Sequence, residues 1–251
     1  MGKRLRALGV VLAVIGLGFV VAGGVAYTRV QVGYNSLQTF SEAQDVTLSY
    51  NEDGQLIDRG TTEGADAIMT MLTENWGYPV NMADLDPNDP LVNTASEYMF
   101  QMATIGYHVL HGTQTVVLEA DAEGPNGEII PAGEYEVVVN EVGSPERVAA
   151  GNGGYWTDFD RLDPLQGQAR AQAWSGTAHG LIAELGVGTV THSTLQMGLA
   201  LAGILAGLGL TFMFSGAGLF WATRGKDESV PDTIPEMMLE ARKEIVPQKS
   251  N

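Results

Sequence analysis

Four histidines, His108, His111, His179 and His192, are the residues of this sequence that most directly suggest a chemical site. His108 and His111 are three residues apart, so on a helix both imidazoles share one face. Imidazole binds Zn²⁺ or Cu²⁺, and His179 or His192 would supply a third ligand. The spacing therefore predicts a metal site. The alternative is a solvated helix end, where histidine interacts favourably with the helix dipole.

Two aspartate-rich runs offer oxygen ligands as well. The first contains Asp84, Asp86 and Asp89, and the second contains Asp158, Asp160 and Asp163. Loop carboxylates can bind Ca²⁺, but neither run has the spacing of an EF-hand, and turns built on Asp-Pro account for both.

The chain has no cysteine, which excludes disulfides and thiol chemistry. It also lacks a P-loop, a nucleophile elbow and a dinucleotide fingerprint, so no catalytic activity is evident.

A helix is predicted to position His108 and His111. It begins at Thr94-Ala-Ser-Glu97, which has the pattern of a capping box, and extends to Leu110. Its polar side, which carries both histidines, includes Glu97, Gln101 and Thr104; its apolar seam comprises Tyr98, Met102, Ile105 and Val109.

The rest of the middle region alternates between helical and strand patterns. Helical spacing occurs at residues 64–75 and 165–183, and β-hairpin patterns occur at residues 46–59 and 113–140. The second helical segment leads, across Gly186-Val-Gly188, toward the apolar run that follows. The fold class predicted is an α+β extracytoplasmic domain tethered by two transmembrane α-helices.

Two apolar segments carry the membrane prediction. The first comprises 22 residues without a charge, from residue 7 to residue 28, and the second is uncharged from Leu185 to Phe220. At about 1.5 Å per residue, each spans a hydrocarbon core of about 30 Å. We expect transmembrane helices at residues 7–28 and 194–223. A cleaved signal peptide is the alternative for the first, with Gly24-Val25-Ala26 as its cleavage site.

The distribution of charge gives the orientation. Lys3, Arg4 and Arg6 precede the first segment, and Arg224 and Lys226 follow the second. Residues 27–193 hold 24 acidic residues against 5 arginines, a net charge of −19. The positive-inside rule then predicts a cytoplasmic N-terminus at residues 1–6, a cytoplasmic tail at residues 224–251 and an outer domain at residues 29–193. So acidic a domain repels nucleic acid.

Small residues spaced by four occur in both apolar segments, as Gly18-x-x-x-Ala22 and Gly203-x-x-x-Gly207. Such patterns let helix backbones approach closely. They predict that the two helices pair, or that the protein associates with itself or with another membrane protein.

Four runs of sequence resemble a group of actinobacterial two-helix membrane proteins of unknown function. These runs are residues 46–68, residues 86–120, YWTDFDR at residues 155–161 and residues 173–203. Some members carry the label of an aromatic ring-opening dioxygenase. Such an enzyme holds Fe(II) on two histidines and a carboxylate in a cytosolic pocket, whereas the histidines here are predicted outside. The resemblance assigns no catalytic residues.

The sequence therefore predicts an integral membrane protein of the cell membrane, with an extracytoplasmic interaction or scaffold domain and no resident cofactor. One alternative is a metal-dependent outer domain with Zn or Cu on the histidine cluster. The other is an accessory subunit of a membrane complex.

Overall fold

The computed structural model of the protein describes residues 2–139 and 161–224. In chain order, its regular elements are α1 (Gly2–Gln44), α2 (Thr62–Thr70), α3 (Ala95–His111), β1 (Thr113–Leu118), β2 (Ala122–Glu123), β3 (Ile129–Ile130), β4 (Gly133–Val138), α4 (Gln166–Ala173) and α5 (Gly176–Ala222). The mixture of α and β structure is confirmed. The predictions made for Asp158, Asp160 and the cytoplasmic tail beyond Arg224 lie outside the described residues.

Two helices, α1 with 43 residues and α5 with 47, are long and apolar enough to cross a membrane. Each is about twice the 20 residues that a bilayer requires. The chain divides into two compact units. The first is formed by Met1–Thr28 and Ala200–Asn251, and the second by Arg29–Leu199. Each long helix contributes residues to both units.

In the first unit, glycines bring α1 and α5 into backbone contact. Gly9 and Gly16 are seven residues apart on α1 and face Gly216 and Gly209 of α5. A Cβ added at Gly16 would lie 2.5 Å from the Gly209 carbonyl oxygen, and one at Gly9 would lie 2.6 Å from that of Gly216. Because real Cβ atoms do not approach this closely, only glycine permits this helix packing.

The small-residue motifs identified in the sequence do not lie at this contact between α1 and α5. Gly18, Gly203 and Gly207 have no atom within 4 Å of an added Cβ. Pairing of the two helices agrees with the prediction, but it uses glycines at a spacing of seven. A repeat of seven keeps a residue on one side of a helix pair over several turns.

The main core of the second unit surrounds α2 and α3. Thr61 caps α2 by accepting a hydrogen bond from the Gly64 N–H, and a π-helical turn at Met71–Asn75 extends the helix. Ile68, Met71 and Leu72 are buried, as their spacing predicted.

Helix α3 begins with the predicted capping box and ends at His111, one residue beyond the predicted end. Its buried side is broader than the predicted seam. Tyr98 is buried as expected, but so are Phe100, Ala103 and Leu110. Met102 and Ile105 are only partly buried and pack at the margin of the core.

A smaller core forms under a two-stranded antiparallel sheet. Strands β1 and β4 pair from Thr113 opposite Val138 to Leu118 opposite Gly133, which confirms the second hairpin. The inward side chains of the sheet pack on α4; the buried members of this cluster are Val116, Leu118, Val137, Val139 and Ala169. The first predicted hairpin is reduced to isolated bridges such as the one between Tyr50 and Leu56.

Helix α5 continues through Gly186 and Gly188, and Gly188 packs closely against α3. A Cβ added at Gly188 would lie 2.6 Å from a ring carbon of Tyr98. Glycine at this position allows the α3 aromatic ring to lie against α5. The segment predicted to be helical at residues 165–183 is not continuous, because it is broken between α4 and α5 at Trp174 and Ser175.

Candidate functional site

His108 forms a pair with a carboxylate from the segment just before α2. Its Nε2 lies 2.9 Å from Oδ1 of Asp58, and both side chains are largely shielded from solvent. The imidazole also meets the ring of Tyr107 edge to face at 5.7 Å. The contact with Asp58 determines which ring nitrogen of His108 carries the proton, because a hydrogen bond to one nitrogen sets the tautomer of the ring.

His111 and His179 each bond to their own helical turn. Nδ1 of His111 donates to the Tyr107 carbonyl at 2.9 Å, and its ring stacks on that of Tyr107 at 4.2 Å. Nδ1 of His179 donates to the Ser175 carbonyl, also at 2.9 Å. Both side chains are exposed at helix ends.

His192, unlike His111 and His179, is buried, and it bonds to a different helix. Its Nδ1 accepts a hydrogen bond of 3.1 Å from the backbone N–H of Ala95, in the first turn of α3. The ring of Tyr34, on α1, meets the imidazole edge to face at 5.7 Å. Because Nδ1 is an acceptor here, His192 is neutral with its proton on Nε2. Burial lowers the pKa of His192, and the Asp84 carboxylate opposes this by raising it.

The structure does not bring the histidines together. Within residues 2–139 and 161–224, no three histidine, aspartate or glutamate side chains are placed to hold a metal ion. The histidine metal site stays a prediction. Asp86 and Asp163 instead bind local N–H groups: Asp86 accepts from Asn88, which lowers the pKa of its carboxyl group, and Asp163 accepts from Leu165 and Gln166.

The start of α3 is the polar centre of the second unit. Oε2 of Glu97 accepts hydrogen bonds from the N–H groups of Asn93 at 3.0 Å and Thr94 at 2.8 Å, and the side chain is only 1% exposed. Glu97 therefore lies inside the unit and does not extend the polar histidine face as expected. Burial raises the pKa of its carboxyl group, although the two N–H donors act in the opposite direction.

Contacts from both long helices converge on the same part of α3. The hydroxyl groups of Ser41 on α1 and Tyr98 on α3 are 2.7 Å apart and buried, and His192 on α5 caps Ala95. We call Ser41, Glu97, Tyr98 and His192 the polar junction. Buried polar contacts of this kind favour one arrangement of the elements they join.

Sequence reasoning found only the local part of the polar junction. The capping box identified Glu97 because its partners are adjacent in the chain. Ser41 stands in no recognisable motif, and the sequence predicts His192 only as a metal ligand. Their partners are 57 and 97 residues away, and no local pattern reports contacts at such separations.

The chain matches no protein-family model, no curated protein and no solved structure.

Proposed function

We propose that the protein is an integral membrane protein whose acidic α+β unit serves outside the cytoplasm as an interaction or scaffold domain. One observation carries the membrane part. The most apolar windows of α1 and α5 are only 17% and 11% buried, whereas a core helix of a soluble protein would be mostly buried. Valines and phenylalanines such as Val14 and Phe214 are 63% and 73% exposed. A continuous apolar surface of this kind needs lipid or protein to cover it.

The packing of the first unit favours a retained first helix over a cleaved signal peptide. Cleavage after Ala26 would remove Gly9 and Gly16, which interlock with α5. It would also remove Arg6, whose guanidinium donates to the Thr223 carbonyl at 2.7 Å. This contact sets the basic flank of α1 beside the end of α5, next to Arg224. Arg6 and Arg224 therefore lie at one end of the helix pair, which supports a common cytoplasmic side.

The assignment as an interaction domain is supported by what the titratable side chains do. Glu97, His108 and His192 each bind a group of the protein itself. The open helix faces at Gly18 and Gly203 supply a surface for a membrane partner, either a second copy or the larger complex of which this chain would be an accessory subunit.

Membrane extraction and mass measurement test this proposal. We expect the protein to stay in membranes washed with alkaline carbonate and, once purified, to have the mass of the whole chain, 26.7 kDa. Release by carbonate would contradict the membrane assignment, and a mass reduced by the first 26 residues would contradict the two-helix anchor.

The metal-dependent alternative has a separate test. Metal content and thermal unfolding are measured for the purified protein and for the double variant His108→Ala/His111→Ala, before and after chelation. An interaction domain without a metal is expected to contain no stoichiometric Zn or Cu and to unfold at the same temperature after chelation. Stoichiometric metal that the double variant loses would favour the alternative.

A further inference from the structure

A cavity of 320 Å³ opens in the second unit between α2 and two turns. Thr62, Ala65, Asp66 and Met69 line one wall, and their spacing places them on one face of α2. Tyr50 and Gln55 come from the turn before α2, and Met82 and Leu85 from the turn after it. The volume is at the lower end of the range for small-molecule sites.

The turn before α2 is held in one conformation. Oδ1 of Asn51 accepts from the N–H groups of Asp53 and Gln55 at 3.1 and 2.8 Å, and the Asn51 amide donates to the Gln55 side chain at 3.0 Å. Gly54, with φ of +75°, lies against Pro87, where an added Cβ would approach to 3.3 Å. This wall of the cavity is thus formed before any ligand arrives, which reduces the entropy lost on binding.

The electrostatic character of the cavity is negative. Asp66 is the only charged residue among the described side chains that line it. Burial, together with the carboxylates of Glu97 and Asp86, raises the pKa of Tyr50 to about 12. The Tyr50 hydroxyl oxygen is buried, so a ligand in the cavity meets the ring and not the hydroxyl group. A cavity lined by both a carboxylate and an aromatic residue is suited to a cation.

Apolar side chains complete the lining. Met69 and Leu85 present hydrocarbon surface, and Met82 is 65% exposed at the cavity edge. Methionine is unbranched and polarizable, and it adapts to irregular apolar ligands. The cavity therefore combines one anionic contact with a surface for a short hydrocarbon chain.

We propose that this cavity binds an organic amine through its ammonium group and aliphatic chain. Asp66 pairs with the ammonium group, the Tyr50 ring lies beside it, and Met69, Met82 and Leu85 surround the chain. The amine is either a free small molecule or the lysine side chain of a partner protein. The site lies wholly in the second unit, so it is separate from the membrane assignment.

Calorimetric titration of the whole chain in zwitterionic lipid nanodiscs tests the site, with empty nanodiscs as the blank. n-Hexylammonium is the probe, and 1-hexanol is its neutral counterpart. We expect saturable binding of n-hexylammonium, and weaker binding of 1-hexanol. In Asp66→Asn, the affinity for n-hexylammonium should fall about fivefold, the effect of losing an ion pair open to solvent. Glu63→Gln removes the same charge from α2 outside the cavity and should bind like the wild type.

A second variant separates loss of binding from loss of folding. Met82→Lys places an ammonium group at the cavity edge through an exposed position, and it should abolish n-hexylammonium binding while the thermal unfolding temperature stays unchanged. Nα-acetyl-lysine methylamide distinguishes the two sources of the amine. If it binds as tightly as n-hexylammonium, the ligand is the lysine side chain of a partner protein. If it binds more weakly, the ligand is a free small amine. No saturable binding of n-hexylammonium to the wild type, or equal binding by Asp66→Asn, would overturn the proposal.

Discussion

At the scale of single residues, the start of α3 holds a carboxylate, Glu97, that is buried and accepts hydrogen bonds from two backbone N–H groups. Thr94 and Glu97 are predicted from four consecutive residues, since both hydrogen bonds of a capping box are local. The burial of Glu97 is not predicted, because it depends on packing by distant segments. The same dependence makes this carboxylate a sensitive position.

Substitution of Glu97 should destabilise the second unit more than substitution of its capping partner. Glu97→Ala leaves the N–H groups of Asn93 and Thr94 without their acceptor, at a cost of about 2–3 kcal/mol. Thr94→Ala removes one cap, at a cost of about 1 kcal/mol. Denaturant unfolding followed by circular dichroism measures both. Thr39→Ala is the control, because that exposed hydroxyl bonds only within α1; equal stability of Glu97→Ala and wild type would be inconsistent with the buried cap.

His192 should make the folded state sensitive to mild acid. Its folded pKa is lowered by burial from the ordinary value of 6.5, so below pH 6.5 the unfolded chain takes up a proton that the folded chain resists. The stabilising contribution is complete above pH 6.5 and is lost as the pH falls from there toward the folded pKa. His192→Asn keeps an acceptor for the Ala95 N–H without titrating in this range.

The comparison that checks the role of His192 is the stability of wild type and His192→Asn at pH 7.5 and pH 5.5. We expect the wild type to lose more stability over this interval than the variant does. Parallel losses would show that other groups cause the pH dependence. Asp84 and Tyr34 also face His192, and both are unchanged in the variant.

At the scale of elements, the sequence correctly predicts the helix α3 and the β1–β4 hairpin, because hydrophobic periodicity and turn residues are local signals. It underestimates the lengths of helices α1 and α5. The apolar run ends near Arg29, but α1 continues to Gln44 because Leu37 and Ser41 are buried. Hydrophobicity marks where a helix can meet lipid and not where the helix ends.

The pair of helices α1 and α5 should tolerate a large side chain at Gly18 but not at Gly16, two residues before it. Gly16→Leu drives a side chain into the Gly209 backbone, while Gly18→Leu enters open space. Overpacking of this kind costs about 1–3 kcal/mol or more. Thermal unfolding in mild detergent should show a lowered transition for Gly16→Leu and little change for Gly18→Leu. The reverse order would mean that the helices pair through the other face.

At the scale of the whole molecule, charge is the organising feature. The net charge of −17 arises from the middle region, while the two apolar segments are flanked by basic residues at the chain ends. This asymmetry is visible in the sequence, and it supports the proposed orientation without any contact information. What the middle region binds cannot be predicted in the same way, because the lining of a cavity is assembled from segments that are distant in the chain.

The central claim is that both long helices cross the membrane with the acidic unit outside, and reporter fusions test it most directly. A fluorescent protein that stays dark when it is exported is fused after Asn251 in one variant and inserted at Asn126, in the exposed β2–β3 turn, in another. We predict fluorescence from the Asn251 fusion and none from the Asn126 insertion, at equal expression. Fluorescence from the Asn126 insertion with a dark Asn251 fusion would contradict the orientation, and fluorescence from both would contradict export of the acidic unit.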